Sequence, residues 1–185
     1  MLTPDNTVLL VIDIQERLVP SICNHEAMVQ ATAACISGCK LLGVPIIVMQ
    51  QYTKGLGETV SDLREALGEF TPVEKITFSA FQNVEFLERL PTDRKNVLVV
   101  GIEAHICVQM TVLELHGDGH DSGYNVYVVA DCIGSRNDAN RVYAVERMRQ
   151  AGAVITPLES ALFEMLVRAD HPARKEITKL VVGLG

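Results

Sequence analysis

The sequence contains no tryptophan, and only 5% of its residues are aromatic, so any core must be built mainly from aliphatic side chains. It has no apolar run longer than about ten residues, too short to span a bilayer, and no membrane partner is expected. It has no basic patch or Arg-rich stretch, and its formal net charge is −7. Phosphate backbones are held by clustered Lys and Arg, so nucleic acid is not expected as a partner either. The segment after Met1 lacks a basic n-region and a small-residue cleavage site, so no signal peptide is expected. There is no C-x-x-C pair among the five cysteines, and a chain of this size does not need disulfides to fold. Free thiols in a reducing cytoplasm are the simplest expectation. Finally, no repeat, low-complexity tract or Pro/Gly/Ser-rich linker interrupts the chain, which reads as a single domain over residues 1–185.

What is present is a regular alternation. Five apolar, β-branched runs stand out: Thr7 to Ile12, Pro45 to Met49, Asn96 to Val100, Tyr124 to Ala130 and Ala153 to Thr156. They are continuous rather than alternating in polarity, as expected of strands covered on both faces. A weaker strand is expected at Thr71 to Ile76. Helix-length segments separate them: Ala27 to Leu42, Thr59 to Leu67, Asn83 to Leu90, Ile106 to His116, Asn137 to Gln150, Glu159 to Ala169 and Ala173 to Val182. Strand–helix alternation from end to end implies βαβ units and an α/β fold with a parallel sheet. Gly117 to Gly123 reads as a polar loop.

In such a sheet, ligands bind beyond the carboxyl ends of the strands. The polar residues that follow each apolar run are therefore the site candidates: Asp13, then Gln50 and Gln51, Lys75, the turn Gly101 to His105, and Asp131. Cys107 falls near the first turn of the helix after the third strong strand. Partial positive charge and unpaired N–H groups there lower a thiol pKa and can hold an oxyanion. Each candidate also has a plain structural role. Cys107 fits a small buried core residue, Asp13 an N-cap, and Lys75 a strand-end lysine with its head in solvent. Together they supply a base, a cation and a nucleophile at three strand ends, the set that covalent hydrolysis needs.

The runs VIDIQ (residues 11–15), EKITFSAF (74–81) and GIEAHICVQMT (101–111) resemble the three signature blocks of the isochorismatase-like cysteine hydrolases. VVADCIGSRN and AGAVITPLESALFEM extend the likeness over roughly Asn6 to Leu180. QQYTKGLG and GIEAHICV point to the isochorismatase domain-containing branch, whose substrate is unassigned. The resemblance implies a three-layer α-β-α sandwich around a central, mainly parallel sheet, in the Rossmann-like class. It also implies that Asp13 takes the thiol proton, Lys75 holds the anionic groups together and Cys107 attacks. A cis Ile102–Glu103 bond would bring the Glu103 and Cys107 N–H groups together as an oxyanion hole.

Nicotinamidases of that family bind a metal through an Asp-x-His pair after the second strand. Here Gln50, Gln51 and Tyr52 stand in its place, and the histidines at 25, 105, 116, 120 and 171 show no ligand spacing. No metal and no cofactor are expected. True isochorismatases lack the cysteine, so the retained Cys107 argues for a small amide, carbamoyl or ester substrate. Gln15, Gln50, Phe78, Phe81 and His105 are weaker substrate-binding candidates, with a structural hydrogen bond favoured for His105. Asp131 and Arg136 are expected to pair. Cys23, Cys35, Cys39 and Cys132 read as ordinary thiols, although Cys132 could resolve an oxidised Cys107. A homo-oligomer is expected, with the apolar surface at Leu158 to Val167 either an interface or a cover for the sheet. The rivals are a dehydrogenase, which would need a Gly-rich turn where DIQERLVP stands, and a non-catalytic or thiol-redox scaffold that retains the fold.

Overall fold

The computed structural model describes residues 1–117 and 123–184. Of the expected polar loop, residues 118–122, His120 included, lie outside the described residues.

Among the described residues, six strands form one sheet: β1 Thr7–Ile12, β2 Ile46–Gln51, β3 Val73–Lys75, β4 Asn96–Ile102, β5 Asn125–Gly134 and β6 Val154–Thr156. All pairings are parallel, in the order β3-β2-β1-β4-β5-β6. β1 and β4, central in that order, are buried along their whole length. The strand order reverses between these two, and in sheets of this kind ligands bind beyond the carboxyl ends of the strands at such a point.

Among the described residues, eight α-helices surround the sheet: α1 His25–Leu41, α2 Thr53–Leu56, α3 Ser61–Leu67, α4 Val84–Arg89, α5 Gln109–His116, α6 Asp138–Gln150, α7 Leu158–Leu166 and α8 Arg174–Val182. Strand side chains alternate between faces, and the core divides accordingly. Leu9, Val11, Leu98, Val100 and Ile102 pack with residues of α1, α3, α7 and α8. Val8, Leu10, Ile12, Val97 and Val99 pack with residues of α4, α5 and α6. The result is the expected three-layer α/β architecture.

The departures from expectation lie at the polar ends. β2 runs on to Gln51, β4 to Ile102 and β5 to Gly134, because ladder hydrogen bonding continues through residues whose polarity suggested a turn. β5 also slips in register against β4 between Val99 and Gly101. That irregularity puts Asp131 inside the strand. Its carboxylate accepts from the Leu158 N–H at the start of α7 (2.8 Å) and does not pair with Arg136. The helix expected from Ile106 begins instead as a π-helical turn, Ala104–Val108, before α5. α2, a four-residue helix containing Gly55, was not expected at all.

In α7, Leu158, Ala161, Leu162, Met165 and Leu166 are buried against the sheet, so its apolar stripe is a cover for the sheet. Cys35, Cys39 and Cys132 lie together in the same half of the core, whereas Cys107 lies in the other. The sheet separates Cys132 from Cys107, which removes it as a resolving partner. Among the described residues, no helix is long and apolar enough to cross a membrane.

Gly101 marks the closest approach of β4 to β1. Its φ is +143°, and a Cβ there would fall 2.3 Å from the Ile12 carbonyl oxygen. Gly101→Ala should therefore cost at least about 3 kcal/mol of unfolding free energy, measured by urea denaturation. A midpoint equal to that of the wild type would contradict this packing.

Candidate active site

Asp13 is the first residue beyond β1 and adopts φ 55°, a left-handed conformation that Asp tolerates better than most residues. Its N–H donates to the Met49 carbonyl of β2 (3.2 Å), and its side chain is fully buried. Lys75 ends β3, two strands away. Its ammonium donates to Asp13 Oδ2 (2.6 Å), Gln51 Oε1 (2.6 Å) and the Thr77 carbonyl (3.3 Å). All three N–H bonds are engaged, and the pair's side chains are 0% and 1% exposed. The strand-end lysine thus keeps its head inside the protein rather than in solvent. Burying two charges costs several kcal/mol per ion, and apolar replacements of similar volume are often as stable or more so. Such a pair is better explained by chemistry than by stability.

Gln51 shares a face of β2 with Ile47 and Met49, the face toward Cys107. Its amide also donates to the Ile76 carbonyl (2.8 Å), so it is held while it supports Lys75. Gln50 points the other way. Its amide donates to Thr59 Oγ1 (2.9 Å) and accepts from Thr53 Oγ1 (3.2 Å), tying down α2 and the segment before α3. Gln15 is likewise fully engaged. It accepts from the Gln51 N–H (2.8 Å) and donates to the Gln51 and Gly57 carbonyls (3.0 and 2.7 Å). Both side chains are thus bonded to the surrounding protein.

Cys107 sits in the π-helical turn and is 7% exposed, packed with Ile12, Met49, Ala104 and Val108. Its thiol lies against both members of the ion pair. Among the described residues, Asp13 Oδ1 is the buried side-chain oxygen or nitrogen without a settled hydrogen-bond partner, and the thiol is the donor beside that carboxylate. The helix-terminal effect expected to acidify Cys107 does not prevail. Burial, and then the negative charge of Asp13, push the thiol up to about 12, with Lys75 only partly opposing them. Burial also raises the Asp13 carboxyl above its usual range, against the pull of Lys75. Near neutral pH the Cys107 sulfur is therefore a neutral thiol beside the Asp13–Lys75 pair.

The Ile102–Glu103 peptide bond is cis. Glu103 follows β4, and its carboxylate accepts from Arg136 Nε (2.5 Å) and from the Arg136 backbone N–H (3.3 Å). His105 Nδ1 is 3.0 Å from Ser135 Oγ and 3.5 Å from Glu103 Oε2. Asn140 Nδ2, which can only donate, is 3.4 Å from His105 Nε2. Assigned on that basis, the ring proton is on Nδ1. Both ring nitrogens of His105 thus face protein groups. Phe81 packs at the edge of the core, whereas Phe78, next to the Thr77 carbonyl that receives Lys75, is 56% exposed.

The thiol's ordinary value is 9.0 and its folded value about 12, so the native state keeps a proton that the unfolded state loses. The contribution of Cys107 to stability is thus full below pH 9 and is lost as pH rises toward 12, by about 4 kcal/mol. Cys107→Ser should flatten the alkaline decline of unfolding free energy relative to the wild type. Parallel curves for the two proteins would contradict the assignment.

Comparison with known proteins agrees over nearly the whole chain. Residues 7–160 match the family described as Isochorismatase domain. The secreted isochorismatase effector Isc1 of Phytophthora sojae is 40% identical over 97% of this chain and 86% of its own length. Isochorismatase domain-containing protein 2 of Xenopus laevis is 36% identical over 96% of this chain and 84% of its own. The solved structure of MAR1 ribonuclease from Caenorhabditis elegans superposes with a TM-score of 0.89 at 37% identity, covering 98% of this chain and 92% of that one. By sequence and by fold alike, this chain belongs to the isochorismatase family.

Proposed function

We propose that the chain is a cysteine hydrolase that cleaves a small amide, carbamoyl or ester substrate through an acyl-enzyme on Cys107. The observation that carries this reading is the buried Asp13 carboxylate, held by Lys75 at one oxygen and open at the other beside a protonated thiol. A neutral thiol is a poor nucleophile. A carboxylate whose affinity for a proton is raised by burial is the base that can relieve it during attack.

In the first half-reaction Asp13 takes the S–H proton as the sulfur bonds to the carbonyl carbon. The Glu103 and Cys107 N–H groups receive the oxyanion. The C–N or C–O bond then breaks, and the leaving group takes the proton from Asp13. In the second half-reaction a water molecule gives a proton to Asp13 and attacks the thioester. The acid departs, and the proton returns to sulfur. Throughout, Lys75 stays beside the negative charge as it moves between carboxylate and sulfur. Arg136 holds the Glu103 side chain, and so the residue whose N–H faces the oxyanion. No step calls for a metal or cofactor.

The ribonuclease activity named for the Caenorhabditis elegans relative belongs to that protein. Here the net charge of −7 and the engagement of Lys75 inside the protein favour a small molecule over a polyanion. Free Cys23 and Cys107 suit a reducing compartment such as the cytoplasm. Association between copies is also proposed, using the exposed apolar side chains Met110, Val142 and Tyr143 on α5 and α6.

A panel of small amides, carbamoyl compounds and esters, followed by intact-mass analysis, tests the proposal. An acyl adduct should map to Cys107, and Cys107→Ala should lower turnover by at least about 10³-fold with unchanged circular dichroism. Turnover that survives this substitution would refute the covalent route.

A further inference from the structure

Thr111 lies one helical turn beyond Cys107, and Glu114 three residues further, on the same side of the helical run. The Thr111 hydroxyl donates to the Cys107 carbonyl (2.7 Å). A bond of that kind to the residue four back is common for a threonine within a helix. The second bond is not of that local kind. The same hydroxyl accepts from the backbone N–H of Ala80 (2.9 Å), thirty-one residues away in sequence, at a point with no solvent exposure. Glu114 repeats the pattern nearer the surface, accepting from Ser79 Oγ (2.6 Å) and Gln82 Nε2 (2.7 Å).

The segment suspended in this way follows Lys75 directly. Its Thr77 carbonyl is an acceptor for the Lys75 ammonium, and the Thr77 hydroxyl donates to the Ser79 carbonyl (2.8 Å). A continuous path of hydrogen bonds therefore runs from the backbone of the nucleophile through Thr111 to Ala80, and along the segment to Lys75. Threonine gives a helix interior no advantage over alanine, and a valine would fill the same space without either bond. This bond joins the helix that follows the Cys107 turn to the segment that bears the ammonium's third acceptor, at a fully buried point.

We infer that Thr111, backed by Glu114, is a positioning residue that sets the distance between the Cys107 turn and the Lys75 segment. The inference rests on the cysteine-hydrolase reading above and extends it to a residue that touches none of the reacting atoms. Loss of the bridge lets the thiol and the ion pair drift apart, and displacements of an ångström are enough to slow reactions between fixed groups.

Acylation of Cys107 by p-nitrophenyl acetate, followed by mass spectrometry across a range of pH, tests this directly. Thr111→Val should acylate at least about tenfold more slowly at neutral pH, with the rise of the pH profile displaced upward. Thr111→Ser, which keeps both bonds, should restore rate and profile. A purely structural threonine would change the unfolding midpoint but leave rate and profile of the folded protein where they were, and that result overturns the inference. Should Thr111→Val not fold, Ser79→Ala releases the same segment at its outer tether. Slower acylation supports positioning, and unchanged acylation overturns it. A wild type that is not acylated at Cys107 would instead defeat the hydrolase reading itself, and this inference with it.

Discussion

The buried pair between Asp13 and Lys75 is the constraint around which the rest of the site is arranged. Neither ion reaches solvent, so each must find its counter-charge and its hydrogen bonds inside the protein. That demands a frame that does not yield. β1 delivers the carboxylate, β3 the ammonium, and β2 between them contributes Gln51 as a second acceptor. Gln15 and Gln50 serve this frame, fastening the loops beside these strand ends.

Burial, and then this pair, set the state of the sulfur. A thiolate beside an ionised carboxylate in a low-dielectric pocket is unfavourable, and the nearby ammonium does not fully offset it. The thiol therefore keeps its proton, and in the proposed mechanism Asp13 accepts it. Held as a thiol, the Cys107 sulfur is protected from casual oxidation and alkylation, because thiolates react far faster than thiols. In the proposed mechanism, reactivity appears only when a carbonyl arrives to take up the electrons. On the other wall, the cluster of Glu103, Arg136, His105 and Ser135 fixes the residue after β4 by side-chain bonds rather than by the sheet.

Much of this was legible in the sequence. β1 was found at its observed limits because an unbroken apolar run buried on both faces has no competing reading. The juxtaposition of Asp13, Lys75 and Cys107 was expected because a carboxylate and an ammonium stand at the ends of such runs and a thiol in the turn that follows another. The extension of β5 was hidden by Asp131, whose polarity suggested a turn and whose role as a cap for α7 depends on a partner 27 residues away. Gln51 had a readable signal, since it shares the parity of Ile47 and Met49, but strand parity near a polar end was not decisive on its own. The raised thiol had none. A helix terminus argues for acidity locally, and only the folded arrangement brings Asp13 and the surrounding apolar atoms close enough to reverse the sign. The bonds joining Glu103 to Arg136 and Thr111 to Ala80 are equally invisible to local reasoning, because they link segments about thirty residues apart.

The protonation state of the resting thiol is the point at which the account is most exposed. A carbon-13 NMR titration of the Cys107 Cβ, assigned by its loss in Cys107→Ser, measures it without reference to any substrate. The account predicts a thiol signal that persists through neutral pH and titrates only in the strongly alkaline range, toward 12. A Cβ signal already at its thiolate position at pH 7 would contradict it.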